Sequence, residues 1–80
     1  MKTFNILCEP LEDAGGWEME LCTNTHNGYK TASRRKAIYN VLEVCDVNIS
    51  WDIFNSFSDM AIDQILIDSG INIVFHDSMD

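Results

Sequence analysis

The sequence predicts a small α+β domain in which an antiparallel sheet of three to four strands packs against two helices, in the order β-β-β-α-α-β. Three observations lead to this expectation. Runs of alternating apolar and polar residues open the chain, apolar residues at helical spacing follow, and a β-branched run comes near the end. The 80 residues are expected to form a single domain, 1–80, since a chain of this length has room for only one core.

Three strands are expected before the first helix. Residues 3–8 alternate between two partly apolar faces, and residues 17–25 alternate cleanly between an apolar face and an acidic one. The dipeptide Asn27-Gly28 is typical of a two-residue type I′ hairpin turn. A short third strand over 29–32 is expected to follow that turn.

The first helix and the last strand follow from the same kind of pattern. Ser33 stands where a helix N-cap is expected, and apolar residues recur at intervals of three and four from Arg34 to Cys45. The segment Ile71–Phe75 is rich in β-branched and aromatic residues, which favour a strand.

The region between these two segments is expected to be helical. Ser50 is a second N-cap candidate, helical character runs over 50–69, and Gly70 suits the position just after a helix. Ser56 and Asp59 have the spacing of a capping box, so the region forms either one continuous helix or two short helices joined by a kink.

The charge balance constrains the kind of partner. The chain has 13 Asp and Glu against 5 Lys and Arg, a net charge of -8, and 46% hydrophobic residues. The apolar share argues against a disordered acidic tail. The negative charge argues against direct binding to nucleic acid or to an anionic membrane, because both require a basic face. The expected partner is therefore a basic protein or nucleoprotein complex.

The cysteines indicate a compartment. Their number is odd and they form no C-x-x-C motif: Cys8, Cys22 and Cys45. Reduced thiols and a cytoplasmic location are therefore expected rather than a disulfide framework. The first ten residues lack the apolar core of a signal peptide, and no apolar stretch approaches the roughly 20 residues that span a bilayer.

Two acidic rows are candidate partner-binding sites. On one continuous helix Asp52, Asp59 and Asp63 would share a face, and on a strand Glu18 and Glu20 would share another. The functional interpretation is a phosphate-like surface that occupies the nucleic-acid-binding site of another protein. The alternative is a solvated acidic face that contributes only to solubility.

A basic cluster stands at the expected start of the first helix. Arg34, Arg35 and Lys36 occupy its first turn, where the helix dipole disfavours cations. This arrangement indicates either pairing with nearby acids, for which Glu12, Glu18 and Glu20 are candidates, or contact with an anion or a partner.

No catalytic residue, metal site or cofactor is expected. The His and Cys positions lack the paired short spacings of a zinc site: Cys8, Cys22, His26, Cys45 and His76. Glycine-rich phosphate loops and the H-E-x-x-H motif are also absent from the sequence. The chain is therefore expected not to be an enzyme. Candidate interface anchors, with the core as their alternative place, are Trp17, Trp51, Tyr29 and Tyr39.

In size, acidity and layout the chain resembles the small inhibitors encoded by bacteriophages, the anti-CRISPR and anti-restriction proteins. The residues that carry the likeness are Trp17–Leu21, Asn27-Gly28, Ser33–Leu42, and Asp52, Asp59 and Asp63. The resemblance implies a non-catalytic blocker of a host nuclease or CRISPR effector, acting in the host cytoplasm as a nucleic-acid mimic. The alternative is an adaptor or oligomerising module, monomeric or homodimeric, that binds through exposed aromatic side chains.

Overall fold

A computed structural model of the chain describes residues 1–10, 20–24 and 28–77. In these residues it contains the four strands β1 Lys2–Pro10, β2 Glu20–Asn24, β3 Tyr29–Thr31 and β4 Ile71–Asp77, and the three helices α1 Arg34–Val44, α2 Trp51–Asn55 and α3 Asp59–Asp68. The predicted α+β class is confirmed, and the second predicted helix is divided into two.

The sheet has the strand order β3-β2-β1-β4 and is mixed. β1 pairs antiparallel with β2, and β2 with β3, but β4 runs parallel to β1 with Lys2 opposite Ile71. The prediction of a purely antiparallel sheet is therefore wrong for β4. The helical segments return the chain to the beginning of β1, where Lys2 N donates to Gly70 O at 2.9 Å, and both strands leave from there in the same direction.

The connection between β2 and β3 is longer than predicted. Asn24 pairs with Tyr29, which leaves four residues between the strands and not two. Gly28 has φ +73°, a conformation that glycine adopts without strain, and its N–H donates to Asn24 O at 2.6 Å. Asn27, the other residue of the predicted turn, lies outside the described residues.

The core lies between the sheet and the helices. In β1 every second residue is buried, and α1 contributes a buried stripe at helical spacing. The buried apolar residues are Phe4, Ile6, Cys8, Cys22, Ala37, Val41, Leu42, Phe54, Ile62, Leu66 and Ile71. The opposite face of β1 is exposed, so the helices cover one face of the sheet.

Two of the three cysteines form a disulfide. Cys8 and Cys22 are directly opposed on β1 and β2, are buried, and are joined, whereas Cys45 is a half-buried free thiol. The expectation of reduced thiols is therefore wrong for this pair. The odd count excluded only complete pairing, and strand register brought two cysteines together. Disulfides persist mainly in oxidising compartments. The expectation of a cytoplasmic location was based on reduced thiols, and the Cys8–Cys22 disulfide removes that basis.

The predicted helix boundaries are confirmed where capping residues define them. Ser33 Oγ accepts a hydrogen bond from Lys36 N at 3.1 Å, and Ser50 Oγ accepts one from Ile53 N at 3.4 Å. Gly70 follows α3 with φ +69°, as expected of a residue just after a helix.

The kink between α2 and α3 divides the second helical region. Ser56 ends α2, with its hydroxyl donating to Ile53 O at 2.6 Å. The N-cap of α3 is Ser58, whose hydroxyl accepts from Ala61 N at 3.2 Å. Of the two alternatives left by the sequence, two short helices are correct, and the cap is two residues later than the capping-box spacing suggested.

Candidate functional site

The three cations of the first turn of α1 all make contacts within the molecule. Arg34 Nη2 donates to Asp77 Oδ1 at 2.8 Å, and its guanidinium carbon lies 5.0 Å from the ring centroid of Phe75. These contacts attach the beginning of α1 to the end of β4. The Asp77 pairing reduces the cation's availability to an outside phosphate.

Arg35 connects α1 to the kink between α2 and α3. Its Nη1 donates to Phe57 O at 2.9 Å and approaches Phe54 O at 3.5 Å, while its Nη2 donates to Asp59 Oδ1 at 2.8 Å. One planar guanidinium thus serves the carbonyls at the end of α2 and a carboxylate in the first turn of α3. The helix break and the basic cluster are parts of the same arrangement.

Lys36 lies over two aromatic rings. Its Nζ is 4.2 Å from the ring centroid of Trp51 and 5.0 Å from that of Tyr39, which are cation–π distances.

Pairing with acids, one of the two predicted alternatives, is what the structure contains for Arg34 and Arg35. Their acidic partners in the described residues are Asp77 and Asp59.

A cleft of about 340 Å³ lies between α1 and α3, beside the two arginines. Asp59 and Asp63 line it together with Arg34 and Arg35, so its cations and acids balance. A balanced cleft attracts phosphate weakly, because the acids repel it as strongly as the arginines attract it. The cleft does not add support for an anion site.

The predicted row of three aspartates is divided by the kink. Asp52 lies in the first turn of α2, whereas Asp59 and Asp63 lie one turn apart on α3. All three are exposed, but Asp59 is also the ion-pair partner of Arg35. The single straight row is therefore wrong. What remains is exposed carboxylates on two separate helices, of which Asp52 and Asp63 lie outside that ion pair.

The outward face of α3 carries apolar side chains between acids, a feature the sequence interpretation missed. Met60 is 83% exposed and Ile67 is 66% exposed, and seven residues, or about 10.5 Å of helix, separate them on the same face. At 100° per residue, Asp59 and Asp63 lie about 90° and 50° to one side of this apolar pair, and Gln64 and Asp68 about 50° and 90° to the other. On α2, Ile53 is also 55% exposed.

We use the name α2–α3 face for six exposed side chains that these two helices carry: Asp52, Ile53, Met60, Asp63, Ile67 and Asp68. Exposed methionine is frequent where proteins dock on one another, because the side chain adapts to its partner. The signal was present in the sequence: Met60 and Ile67 repeat at seven residues, off the buried stripe of Ile62 and Leu66.

The structure does not describe the side chains of the second predicted acidic row, Glu18 and Glu20. Glu18 lies outside the described residues, and Glu20 is the first residue of β2 without a described side chain. Both remain predicted partner-binding residues. Glu12, another predicted ion-pair partner, also lies outside the described residues.

Two of the predicted aromatic anchors belong to the core. Tyr39 is half-buried, donates from its hydroxyl to Ile49 O at 2.8 Å, and has its ring centroid 5.2 Å from that of Trp51. Tyr29 is 57% exposed and is still available as an anchor, while Trp17 lies outside the described residues. The adaptor alternative thus retains Tyr29 among the described aromatic candidates.

The described residues contain no candidate metal site. Among residues 1–10, 20–24 and 28–77, no three His, Cys, Asp or Glu side chains come together in a metal-binding arrangement. His76 Nε2 lies 2.9 Å from Asn5 Oδ1, which joins β4 to β1 on the open face of the sheet. His26 lies outside the described residues.

Within the part of the chain that the structure describes, no helix combines the length and the apolar character required to cross a membrane. Neither a protein-family model, nor a curated protein, nor a solved structure matches the chain.

Replacing Arg35 by lysine is expected to lower the free energy of unfolding by about 1.5 kcal/mol, because an ammonium cannot serve both the carbonyls and Asp59 in the fork geometry. Urea unfolding measures this loss. The comparison is Asp59→Asn, which removes an exposed ion pair and the negative charge in the first turn of α3 but leaves the carbonyl contacts of Arg35, and should cost less than about 1 kcal/mol. Equal losses in both variants would show that the carbonyl contacts of Arg35 do not matter.

Proposed function

We propose that this chain is a non-catalytic acidic protein that binds a basic nucleic-acid-binding protein or nucleoprotein complex and blocks it, with the α2–α3 face as the docking surface. The observation that carries the proposal is that the basic and the acidic side chains differ in their surroundings. The cations of the basic cluster contact groups of the same molecule, whereas Asp52 and Asp63 are exposed, as is Asp68, which accepts a hydrogen bond from Gln64 Nε2 at 2.9 Å.

The net charge of the chain affects both the affinity and the rate of its association with a basic partner. With a net charge of -8, the molecule attracts a basic groove over a distance of about 8 Å at physiological ionic strength. Arg34 and Arg35 are compensated locally by Asp77 and Asp59, so the remaining exposed acids dominate the field. The expected association is fast and weakens as salt is added.

The apolar centre of the α2–α3 face specifies the kind of partner further. Met60, Ile67 and Ile53 have no counterpart in a phosphate backbone, so the proposed mimicry of nucleic acid is partial. They fit a protein groove with an apolar floor and lysine or arginine on its walls. The resemblance to phage inhibitors supports a host nuclease or another defence complex, including a CRISPR effector, as that protein.

The test compares two pairs of charge reversals. In the first, Asp52→Lys and Asp63→Lys change the α2–α3 face without touching the Arg35 ion pair. In the second, Glu9→Lys and Glu43→Lys change exposed acids on β1 and α1. Both pairs change the net charge by the same amount, so any difference between them reports local docking and not the overall field.

The tagged protein and both variants are used to capture proteins from a lysate of the native host at low and at raised salt. A captured protein is then purified, and its dissociation constant and its nucleic-acid binding are measured with each variant. The α2–α3 pair is expected to weaken binding about tenfold or more beyond the control pair, and the wild-type protein to displace nucleic acid. Equal losses for both pairs, or nucleic acid that stays bound at saturating inhibitor, would refute the proposal.

A further inference from the structure

The two edges of the sheet differ in their protection against pairing. One edge is β3, which has three residues and carries Lys30, a short and charged edge of the kind that resists strand addition. The other edge is β4, which has seven residues and neither proline nor a charged residue from Ile71 to His76 when His76 is neutral. Its register with β1 is continuous from Ile71 to Asp77, without a bulge.

The phase of the ladder shows which backbone groups of β4 point outward. Lys2 pairs with Ile71, and Lys2 N donates to Gly70 O. In a parallel ladder this places the backbone groups of residues 72, 74 and 76 toward β1 and those of residues 71, 73, 75 and 77 toward the outer edge. In the described residues, no strand lies beyond β4 to pair with these outward groups.

The sequence of β4 is chemically symmetric about Val74. In an antiparallel pair centred there, Ile73 lies opposite Phe75 of a second copy, and Asn72 lies opposite His76. Val74 meets Val74 on the open face of the sheet. Moving the centre to Ile73 places Asn72 opposite Val74, and moving it to Phe75 places Ile73 opposite Asp77. The centre at Val74 therefore matches polar with polar and apolar with apolar side chains.

We propose that two copies of this chain associate through their β4 edges, antiparallel about a twofold axis at Val74, into a continuous eight-stranded sheet. The proposal is independent of the proposed function, because the edge of β4 does not include the α2–α3 face.

The charge distribution fits a second copy of this chain. Two molecules of net charge -8 repel each other, but the segment that meets is uncharged from Ile71 to His76. At each end, Asp77 of one copy lies opposite Ile71 of the other, in the same row as Lys2 on the adjacent β1. The twofold axis thus places Lys2 of each copy two strand spacings, about 10 Å, from Asp77 of the other, while Asp77 keeps its ion pair with Arg34 of its own copy.

The symmetry makes a covalent test possible. In this dimer, residue 74 of one molecule lies opposite residue 74 of the other in a non-hydrogen-bonded pair. The Cα atoms of such a pair are about 4.5 Å apart, which is within the range that a disulfide spans. We expect Val74→Cys, in a Cys45→Ala background, to form a disulfide-linked dimer on mild oxidation. The matched control is Leu7→Cys in the same background, on the adjacent interior strand and similarly exposed, 38% against 36% for Val74.

The association itself is measured by sedimentation equilibrium of the full chain over a wide concentration range. The wild type should dimerise, and Val74→Lys should raise the dissociation constant about tenfold or more, because two like charges would stand opposite each other. Leu7→Lys should leave that constant unchanged. The proposal is overturned if the wild type stays monomeric at the highest concentration, if both lysine variants weaken the dimer equally, or if Leu7→Cys cross-links as well as Val74→Cys.

Discussion

Replacing Phe54 by alanine is expected to lower the free energy of unfolding by about 3–5 kcal/mol, the range found for large aromatic side chains removed from a core. Phe54 is fully buried although it belongs to a helix of only five residues. Its ring centroid lies 5.3 Å from that of Tyr39, 5.9 Å from that of Trp51 and 6.4 Å from that of Phe57. Its loss would leave a cavity among these three rings.

The effect should also exceed what helix propensity explains, since a five-residue helix is not stable alone. Urea unfolding followed by circular dichroism measures the loss, and Ile53→Ala is the control. Ile53 precedes Phe54 on the same helix but is 55% exposed, so its truncation should cost less than about 1 kcal/mol. Similar losses for the two variants would mean that α2 is not held by the aromatic cluster.

Removing the disulfide is expected to cost about 3 kcal/mol, the loop-closure value for about 15 residues, since Cys8 and Cys22 are separated by 14 positions. For a domain of this size that loss lowers Tm by roughly 12–24 °C. Thermal unfolding of the wild type with and without a reductant measures it. The double variant Cys8→Ala and Cys22→Ala should unfold at the lower temperature whether or not reductant is present.

Two results would contradict the prediction that the disulfide stabilises the protein. A wild-type Tm that does not respond to a reductant able to break the bond would contradict it. So would a response of equal size in the double variant. If the cost is as large as expected, a reducing compartment would hold the protein close to its stability limit, since small domains have little stability in reserve.

Local signals predicted most of the elements correctly. Ser33 and Ser50 as caps, the apolar spacing of α1, Gly70, and the β-branched run of β4 all act over a few residues of sequence. Such signals do not carry strand direction, so β4 was expected to be antiparallel. They also do not carry register, which decided that Cys8 and Cys22 meet.

The candidate site shows the same division. The exposed acids were expected from composition, and pairing of Arg34 and Arg35 was one of two alternatives drawn from their place in a helix dipole, although their partners Asp77 and Asp59 were not among the acids suggested. The sequence located a possible helix break near Ser56 but left open whether it occurs, because Arg35, 19 to 22 positions away, binds the carbonyls at that point. Met60 and Ile67 repeat at a spacing of seven, but this repeat was not used in the sequence interpretation.

The pairing of β1 with β4 also determines when this molecule can fold. Lys2 and Ile71 are 69 positions apart in the chain yet are neighbours in the sheet, with β1 as an interior strand. During translation, the edge of β1 that pairs with β4 stays unpaired until β4 has left the ribosome. Nascent chains that stall within α3 would therefore expose an interior strand, and we expect them to be the species that chaperones bind and proteases remove.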